Sequence, residues 1–446
     1  MTRLTLAASL ALLACQAPRP AGPAPWTGER DAGPESPLDA GAPDGGLDAG
    51  ELPGDGGPDA GIVVDAGTTA DAGLPDAGSS ATDAGAGCPT LAGGATPCAG
   101  AACPFASASP GDVVSLGGLD VPALPPPALG ATAAPGAATL IFSDDPETVP
   151  SSGILYADTV GPGPVRLFVY HVNGATNPVK ITVVLENPSP GATVLVQRLA
   201  SARAGPSSNY LYVGKVAIER WLQSGPDPTL SVPPGQAALL DSTLDGTAVP
   251  TGDLMHAIID LSLDGPLRLV VAALDSTAST LASYGSLSQL PRGAHQRGTF
   301  QPADVVAAPL PADCPYDTAF GALRVALGEA GPAGIAVTGF DATTGGAAET
   351  LAGQYGVRTT VNLDLQSSDG RSLALLVNPR GGAYGGAATF DGSAVTLPAA
   401  STSLSDSSEA ILVGTLAPGP TPRPVSLVWS MPGGSSGPVD LLLVPY

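Results

Sequence analysis

The tripeptide Asp-Ala-Gly recurs eight times between Asp31 and Gly85, and it strongly limits where this chain can form a core. Successive copies are five to eleven residues apart, so they do not mark a structural unit of fixed length. The surrounding residues 16–87 are mostly Pro, Gly, Ala and Asp. Such a segment cannot bury enough apolar surface to offset the entropy lost on ordering. We therefore expect a disordered linker here and a fold built from the residues after it.

The linker is expected to act as a flexible stalk. Treated as a Gly-rich coil, it spans on the order of 45–50 Å, and its prolines and mutually repelling Asp residues extend it further. Calcium binding is the alternative interpretation of so many spaced Asp residues. A calcium loop needs its ligands at set positions, which the irregular spacing does not provide.

The first fourteen residues have the layout of a secretory signal peptide. One cation, Arg3, precedes an uncharged run from Leu4 to Ala14. A membrane-spanning helix needs about 20 apolar residues, and this run is roughly half that length. We therefore expect residues 1–14 to direct export and not to remain as a transmembrane segment.

The end of this run, Leu12-Leu13-Ala14-Cys15, resembles the lipobox of bacterial lipoproteins, in which a small residue precedes an obligatory Cys. The resemblance implies that Cys15 is lipidated and becomes the first residue of the mature protein. Gln16 then takes the second position, where a residue other than Asp usually permits sorting to the outer membrane. The membrane is thus an expected partner through a lipid anchor, and the expected location is the cell envelope.

The other four cysteines are expected to form disulfides. Cys88, Cys98 and Cys103 lie close together, whereas Cys314 is distant. An even number of cysteines in an oxidising compartment favours two disulfides with three possible connectivities, and one of the first three must then reach Cys314. A metal site is the alternative, but the paired CxxC spacing of zinc ribbons is missing. We expect a braced, Pro-rich lead-in over residues 88–136.

The net charge of −23 excludes some classes of partner. Thirteen acidic residues and one basic residue, Arg30, lie between Glu29 and Asp83, so about half of that charge belongs to the linker. An acidic chain is poorly suited to bind nucleic acid or anionic lipid surfaces. No cofactor is predicted.

Residues 137–446 predict a mainly β fold made of two β-sandwich-like modules, 137–315 and 316–446. Short β-branched and aromatic runs alternate there with Gly, Pro and Asp turns, as in sandwiches and barrels. The loosened pattern before Cys314 places the boundary near that residue.

Particular strands and one short helix are expected in the first module. Val165–Val172 is apolar on both faces and predicts a central strand. Lys180–Glu186 alternates and predicts a strand with one buried face. Val213–Leu222 predicts the helix, because its apolar residues fall on one side. Leu254–Leu263 and Leu267–Leu274 predict strands on either side of an Asp264-Gly265 turn.

The second module contains seven strand-like runs, a number that suits a sandwich. Val361, Leu363 and Leu365 are expected to face its core. The seven runs are Gly334–Phe340, Val357–Leu365, Ser372–Val377, Ala387–Leu397, Ala410–Leu416, Pro424–Trp429 and Pro438–Val444.

Two glycine-rich segments were considered as sites. Gly433–Gly437 matches the G-x-S-x-G nucleophile pattern with Ser435, but Pro432 and Pro438 bracket it where a strand and a helix are needed. A loop is expected. Asn378–Gly386 predicts a crowded backbone crossing. The alternative makes Arg380 and Tyr384 a ligand-facing pair.

The titratable residues of the modules suggest no metal site. The three histidines, His171, His256 and His295, are too few to assemble a hydrolytic site, and we expect the first two at core or rim positions. The densest acidic cluster is expected to be a solvated turn in preference to a cation site. Its members are Asp144, Asp145 and Glu147.

The aromatic residues around the predicted helix leave one further possibility. Tyr210, Tyr212 and Trp221 could form a sugar-stacking platform, although core packing is the favoured interpretation. The sequence therefore favours a non-catalytic envelope lipoprotein that displays β-rich modules on a stalk for adhesion or for interaction with an envelope protein. A glycan-binding surface lipoprotein and an unrecognised hydrolase are the alternatives.

Overall fold

The structure is a computed structural model that describes residues 93–96, 98–126, 130–308, 310, 314–328 and 335–446. Within these residues the protein is mainly β with short helices, which confirms the predicted fold class. The expected signal peptide, Cys15, the linker and Cys88 lie outside the described residues. All described residues belong to one compact unit.

The described strands are numbered in chain order. The first are β1 (Val113–Ser115), β2 (Gly130–Ala133), β3 (Thr139–Ser143), β4 (Thr148–Val149), β5 (Gly153–Val160), β6 (Gly163–Asn173), β7 (Val179–Glu186), β8 (Val194–Ser207), β9 (Leu230–Val232), β10 (Ala237–Leu239), β11 (Leu254–Leu263), β12 (Leu267–Asp275), β13 (Arg297–Gln301) and β14 (Asp304–Ala308). The later ones are β15 (Tyr316–Asp317), β16 (Leu323–Leu327), β17 (Thr338–Phe340), β18 (Ala348–Thr350), β19 (Arg358–Gln366), β20 (Leu373–Asn378), β21 (Gly386–Phe390), β22 (Ser393–Leu397), β23 (Glu409–Leu416), β24 (Arg423–Trp429) and β25 (Val439–Pro445).

The α-helices of the described chain are α1 (Tyr210–Gln223), α2 (Ser242–Asp245) and α3 (Thr280–Ser283). The expected helix corresponds to α1, which begins earlier because the Asn209 side chain accepts a hydrogen bond from the backbone N–H of Tyr212. Among the described residues, we find no helix with both the length and the apolar character needed to cross a membrane.

The first sandwich packs a four-stranded sheet against a nine-stranded sheet. The smaller has the order β10-β7-β12-β5, and the larger has the order β18-β17-β13-β3-β6-β11-β8-β9, with β4 also paired to β6. The two sheets share one apolar core. Ile181, Val183 and Leu185 of β7 all point into it, as the alternation predicts.

Strand β6 is central, as expected, because it pairs with β3 on one side and β11 on the other. The turn at Asp264 and Gly265 is not a hairpin turn, contrary to the expectation from the sequence. Strand β11 pairs with β6 and β8, whereas β12 pairs with β5 and β7. The turn therefore carries the chain from one sheet to the other, where both strands can bury apolar faces in the same core.

The second sandwich has the same construction. Its five-stranded sheet has the order β1-β23-β20-β25-β16, and its seven-stranded sheet has the order β2-β14-β19-β24-β21-β22, with β15 also paired to β19. Val361, Leu363 and Leu365 are buried in the core between these sheets, as predicted. The run Ala387–Leu397 forms two strands, β21 and β22, which pair across a turn at Asp391 and Gly392.

Strand pairing crosses the module boundary expected at residues 315 and 316. Strands β2 and β14 precede that boundary but pair within the sheet of the second sandwich. Strands β17 and β18 follow it but extend the nine-stranded sheet of the first sandwich through β13. A single cut in the chain therefore cannot separate the two sandwiches, because each needs strands from both sides of the cut.

A third apolar cluster joins the two sandwiches. It combines Phe142 and Phe168 of the first sandwich, Trp221 of α1, and Val305 and Ala387 of the second sandwich. Helix α1 lies in this layer, and its buried face predicted from the sequence is in contact with it. The two sandwiches consequently form one continuous body.

The lead-in forms a further layer. Phe105, Leu116 and Val121 pack with Leu376 and Leu412 on the outer face of the five-stranded sheet. A disulfide joins the cysteines at positions 98 and 103, and the cysteine at position 314 is disulfide-bonded as well. These bonds exclude the alternative of a metal site for the three cysteines that the structure describes.

Candidate functional site

A cleft of about 330 Å³ opens where the two sandwiches meet. One wall comes from β6 and the turn after β3 in the first sandwich, and the other comes from the segment before β19 and the β24–β25 loop in the second. The residues that line it are Asp144, Glu147, Phe168, Tyr170, His295, Tyr355, Gly433, Gly434 and Ser435. Several polar groups thus converge on one concave surface, which is typical of a binding site.

The turn after β3 is held from behind by His171. Because the Pro146 carbonyl can only accept, His171 Nδ1–H donates to it at 2.9 Å, and Nε2 therefore accepts from the Ser143 hydroxyl at 2.8 Å. Ser143 and His171 are both fully buried, and burial lowers the pKa of His171 to about 4. His171 is thus a neutral structural group, in agreement with its expected core position.

The expectation of a solvated turn at Asp144, Asp145 and Glu147 is wrong. Asp145 is completely buried and accepts hydrogen bonds from the backbone N–H groups of Gly293 and His295. These contacts bring a second loop against the turn, so Asp144 and Glu147 face a histidine as well as solvent. The physical reason is that Asp145 satisfies its buried charge with N–H donors from a distant part of the chain.

The side chain of His295 lies between two carboxylates. Its Nε2 is 2.6 Å from Glu147 Oε2, and its Nδ1 is 3.4 Å from Asp144 Oδ2. One potential ligand atom from each of the three residues lies within 4.8 Å of the other two. The His295 side chain is 49% exposed, so the cluster is open to solvent. We call Asp144, Glu147 and His295 the cleft triad.

The carboxyl group of Asp144 is electrostatically unusual. Burial, and then the nearby charges of Glu147 and Asp145, raise its pKa to about 9. Its Oδ1 atom is buried and forms no hydrogen bond within the described part of the protein. Asp144 therefore holds a proton at neutral pH when nothing else compensates its charge.

The back of the cleft is aromatic. The His256 ring packs edge-on against Phe168 and Tyr170, with centroid distances of 4.5 and 5.3 Å. His256 Nδ1–H donates to the Val169 carbonyl at 2.7 Å, whereas Nε2 has no hydrogen-bond partner among the described residues. Burial lowers the pKa of His256 to about 4, so the ring is neutral.

Gly433 explains how the β24–β25 loop fits against this wall. A Cβ atom there would lie 2.5 Å from the Tyr170 ring and 3.6 Å from His256 Nε2. No side chain fits at the first distance, so glycine lets the loop approach β6 closely. The segment Gly433–Gly437 is a loop, as expected, since it leads into β25 and not into a helix.

The cleft contains the three residue types of a hydrolytic triad, but they are not connected as one. Ser435 is 3% exposed, and its hydroxyl hydrogen-bonds to the backbone N–H and carbonyl of Gly385. At the turn after β3, the Ser143 hydroxyl does donate a hydrogen bond to His171, but both residues are buried. A nucleophilic serine needs both a base within hydrogen-bond reach and access to substrate.

The aromatic residues considered as a sugar platform do not share a surface. Tyr212 is 50% exposed, whereas Trp221 is 2% exposed and lies in the layer between the sandwiches. Tyr210 is half-buried and donates its hydroxyl to the Gly252 carbonyl. Trp221 therefore packs in the core, which was the favoured interpretation, because α1 packs its apolar side against the sandwiches.

Arg380 and Tyr384 are also separated in the structure. Tyr384 is fully buried in the core of the second sandwich, where its hydroxyl accepts a hydrogen bond from Trp429 Nε1 at 2.8 Å. Arg380 lines a different cleft together with Arg324 and Asp440. The alternative of a ligand-facing pair is therefore wrong, because the glycines around Tyr384 let its ring enter the core.

Trp221 lies beside a buried charge cluster, which we define as Arg166, Arg358, Asp260 and Asp304. The five N–H donors of Arg166 form hydrogen bonds with the two carboxylates and with two backbone carbonyls. Arg358 also contacts Asp304 at 2.7 Å, and both guanidinium groups lie over the Trp221 ring. This cluster fastens β6 and β11 of the first sandwich to β14 and β19 of the second.

The sequence analysis names His295 but does not predict its place in the candidate site. It and Asp145 are 150 residues apart in the chain, and no local pattern links them. A scan against protein-family models and a search of curated proteins both find no match. The function is therefore argued from the sequence features and from this geometry.

Proposed function

We propose that this protein is a lipid-anchored component of the cell envelope that presents its double sandwich as a non-catalytic binding body. The observation that carries the proposal is the sequence Leu12-Leu13-Ala14-Cys15 at the end of an uncharged run. Each buried CH₂ of an attached acyl chain contributes about 0.8 kcal/mol, and two or more chains hold a protein firmly at a membrane.

The fold supports a role in display. The apolar layer at α1 and the buried charge cluster join the two sandwiches, so one continuous surface is offered to a partner. The stalk expected from residues 16–87 would place that surface beyond the lipid headgroups. The proposed partners are the membrane itself through the anchor and an envelope protein or glycan at the folded body.

The arrangement of hydroxyl groups favours binding over catalysis. Ser435 is engaged with Gly385, and the Ser143–His171 pair is enclosed in the core. Of the two alternatives, hydrolysis through a serine therefore has no geometric support among the described residues. Glycan recognition is the alternative binding mode, and it would not use a platform at Trp221.

The anchor is tested by metabolic labelling with an alkyne-tagged fatty acid in a Gram-negative host, followed by membrane fractionation. The wild-type chain should carry the label and sediment with membranes. The Cys15→Ser variant should lose the label and be released into a soluble fraction. Ser9→Ala is the matched control, since it keeps the run uncharged and leaves Cys15 in place. Label that persists in Cys15→Ser contradicts the proposal.

Sorting gives an independent test of the same assignment. If the chain follows the rule of Gram-negative lipoproteins, Gln16→Asp should remain lipidated but move from the outer-membrane to the inner-membrane fraction. Protease treatment of intact cells then separates a surface-exposed body from a periplasmic one. A surface body that is cleaved in intact cells supports adhesion, and a protected one supports interaction inside the envelope.

A further inference from the structure

We propose that the cleft triad binds a divalent transition-metal ion of the zinc type at the junction of the two sandwiches. Its donors are one imidazole nitrogen and two carboxylate oxygens, contributed by Asp144, Glu147 and His295. The three ligand atoms lie within 4.8 Å of one another, which is close enough for one ion to contact all of them after small side-chain rotations. This inference goes beyond the proposed display function and does not depend on the anchor.

The backbone of the triad is already held in place. Asp144 and Glu147 belong to the turn that His171 fixes through Pro146 and Ser143. His295 belongs to the loop that Asp145 fixes through two backbone N–H groups. Groups around the ligands thus orient both loops before any ion arrives, as the outer shells of protein metal sites do.

An unsatisfied polar atom of the cleft triad points to a missing ligand. Asp144 Oδ1 is buried and forms no hydrogen bond among the described residues. Buried polar atoms are rarely left unpaired, because their desolvation is then uncompensated. An ion at the cleft triad would compensate the charge of the Asp144 carboxylate.

The donor set favours zinc over calcium or magnesium. Calcium takes six to eight oxygen ligands, and magnesium keeps a near-octahedral oxygen shell. An imidazole nitrogen combined with carboxylates suits zinc and other first-row transition ions. Three protein ligands leave one tetrahedral position open toward the cleft, which Tyr170 and Tyr355 line. A water molecule or a small anionic group of a partner could occupy that position.

The alternative is that the triad is only an ion pair network, in which the His295 ring bridges Asp144 and Glu147. That arrangement needs no metal and uses the same contacts. The two possibilities differ in what happens when His295 is replaced by glutamine. Glutamine can still donate a hydrogen bond to Glu147, but its amide is a poor ligand for zinc.

The test uses the full exported chain with Cys15→Ser to keep it in solution. The protein is treated with a chelator, dialysed against zinc chloride, and its bound zinc is measured by mass spectrometry. The chain should bind about one zinc ion more than its His295→Gln variant, and affinity should fall by more than about 100-fold, since even outer-shell changes weaken zinc binding 10–100-fold. Comparison within one chain removes any contribution from the acidic residues of the linker.

Asp406→Asn is the matched control, because Asp406 is an exposed carboxylate that hydrogen-bonds to Ser408 away from the cleft lining. It should bind zinc as the parent chain does. Cobalt provides a second readout, since Co²⁺ at the triad should give visible d–d absorption that His295→Gln and Glu147→Gln abolish. No zinc binding, or equal binding by His295→Gln and the parent chain, overturns the proposal and leaves the triad as an ion pair network.

Discussion

The buried charge cluster and the cleft triad both combine cationic or imidazole groups with carboxylates, yet their polar atoms are satisfied to different extents. In the cluster, each N–H of Arg166 has an acceptor, and the two carboxylates contact a second arginine. In the triad, the buried Asp144 Oδ1 lacks a partner among the described residues. The charge cluster joins the two sandwiches, whereas the cleft triad contains a polar atom that a bound ligand could satisfy. Completeness of hydrogen bonding thus separates a structural group of charges from a candidate binding site.

The largest effect is expected from Arg166→Met, which breaks the cluster. Asp260 and Asp304 would remain buried with Arg358 as their shared cation. Removing one partner of a buried ion pair costs about 3–5 kcal/mol, and urea unfolding should show a loss of that size. Arg423→Met is the control, since the Arg423–Asp391 pair is exposed and should contribute less than about 1 kcal/mol. Equal effects of the two substitutions would contradict a structural role for the cluster.

Unfolding at several acidic pH values tests whether His256, behind the cleft, is neutral in the folded protein. The pKa of His256 is lowered to about 4, so between pH 6.5 and 4 the unfolded chain binds a proton there that the folded chain does not. Stability from this group is therefore present above pH 6.5 and is lost as the pH falls through that window. His256→Phe should gain on the wild type by up to roughly 1.4 kcal/mol per pH unit as the pH falls. Urea unfolding at several pH values measures this, and a constant difference would show that His256 does not titrate as stated.

Zinc should stabilise the fold by binding to the cleft triad. The buried charge cluster should not be needed for this stabilisation. A ligand present at 100 times its dissociation constant stabilises the state that binds it by about 2.7 kcal/mol. The wild-type chain should show this shift in urea unfolding, and His295→Gln should not. Arg166→Met should keep the shift, because effects at sites without shared partners add. If Arg166→Met lost the zinc-dependent shift in urea unfolding and His295→Gln kept it, the assignment of zinc binding to the cleft triad would be wrong.

The smallest effect is expected at Tyr355, whose hydroxyl donates to the Ser435 carbonyl at 2.7 Å within the second-sandwich wall of the cleft. Tyr355→Phe should cost about 1 kcal/mol, the usual net value of one hydrogen bond. Tyr210→Phe is a useful reference, since Tyr210 makes a similar bond to Gly252 at a more exposed position. A larger loss for Tyr210→Phe would mean that the Tyr355 contact is not what fixes the β24–β25 loop in this wall.

The strands were the part of the fold that local sequence could predict. Leu254–Leu263 was expected as a strand and is β11, because a continuous apolar run flanked by turn residues has few other solutions. Local sequence could not predict which sheet a strand joins. The Asp264–Gly265 turn connects two sheets and not two neighbours, since that choice depends on the core the strands share.

The candidate site was harder to predict for a related reason. Asp144, Asp145 and Glu147 were noticed as a cluster, but their burial depends on a loop about 150 residues away. The sequence identifies Trp221 and Tyr384 as aromatic residues, but composition does not predict whether an aromatic ring faces the core or the surface. In both cases the outcome is decided by long-range contacts, which a single sequence does not contain.

The exchange of strands across residue 315 has a consequence for the order in which the protein can be completed. Residues that are synthesised early provide β2 and β14 to a sheet whose other strands come later in the chain. The large sheet of the first sandwich likewise waits for β17 and β18. The growing polypeptide therefore carries unpaired sheet edges until almost its whole length is available, and such edges can pair with other chains in the meantime.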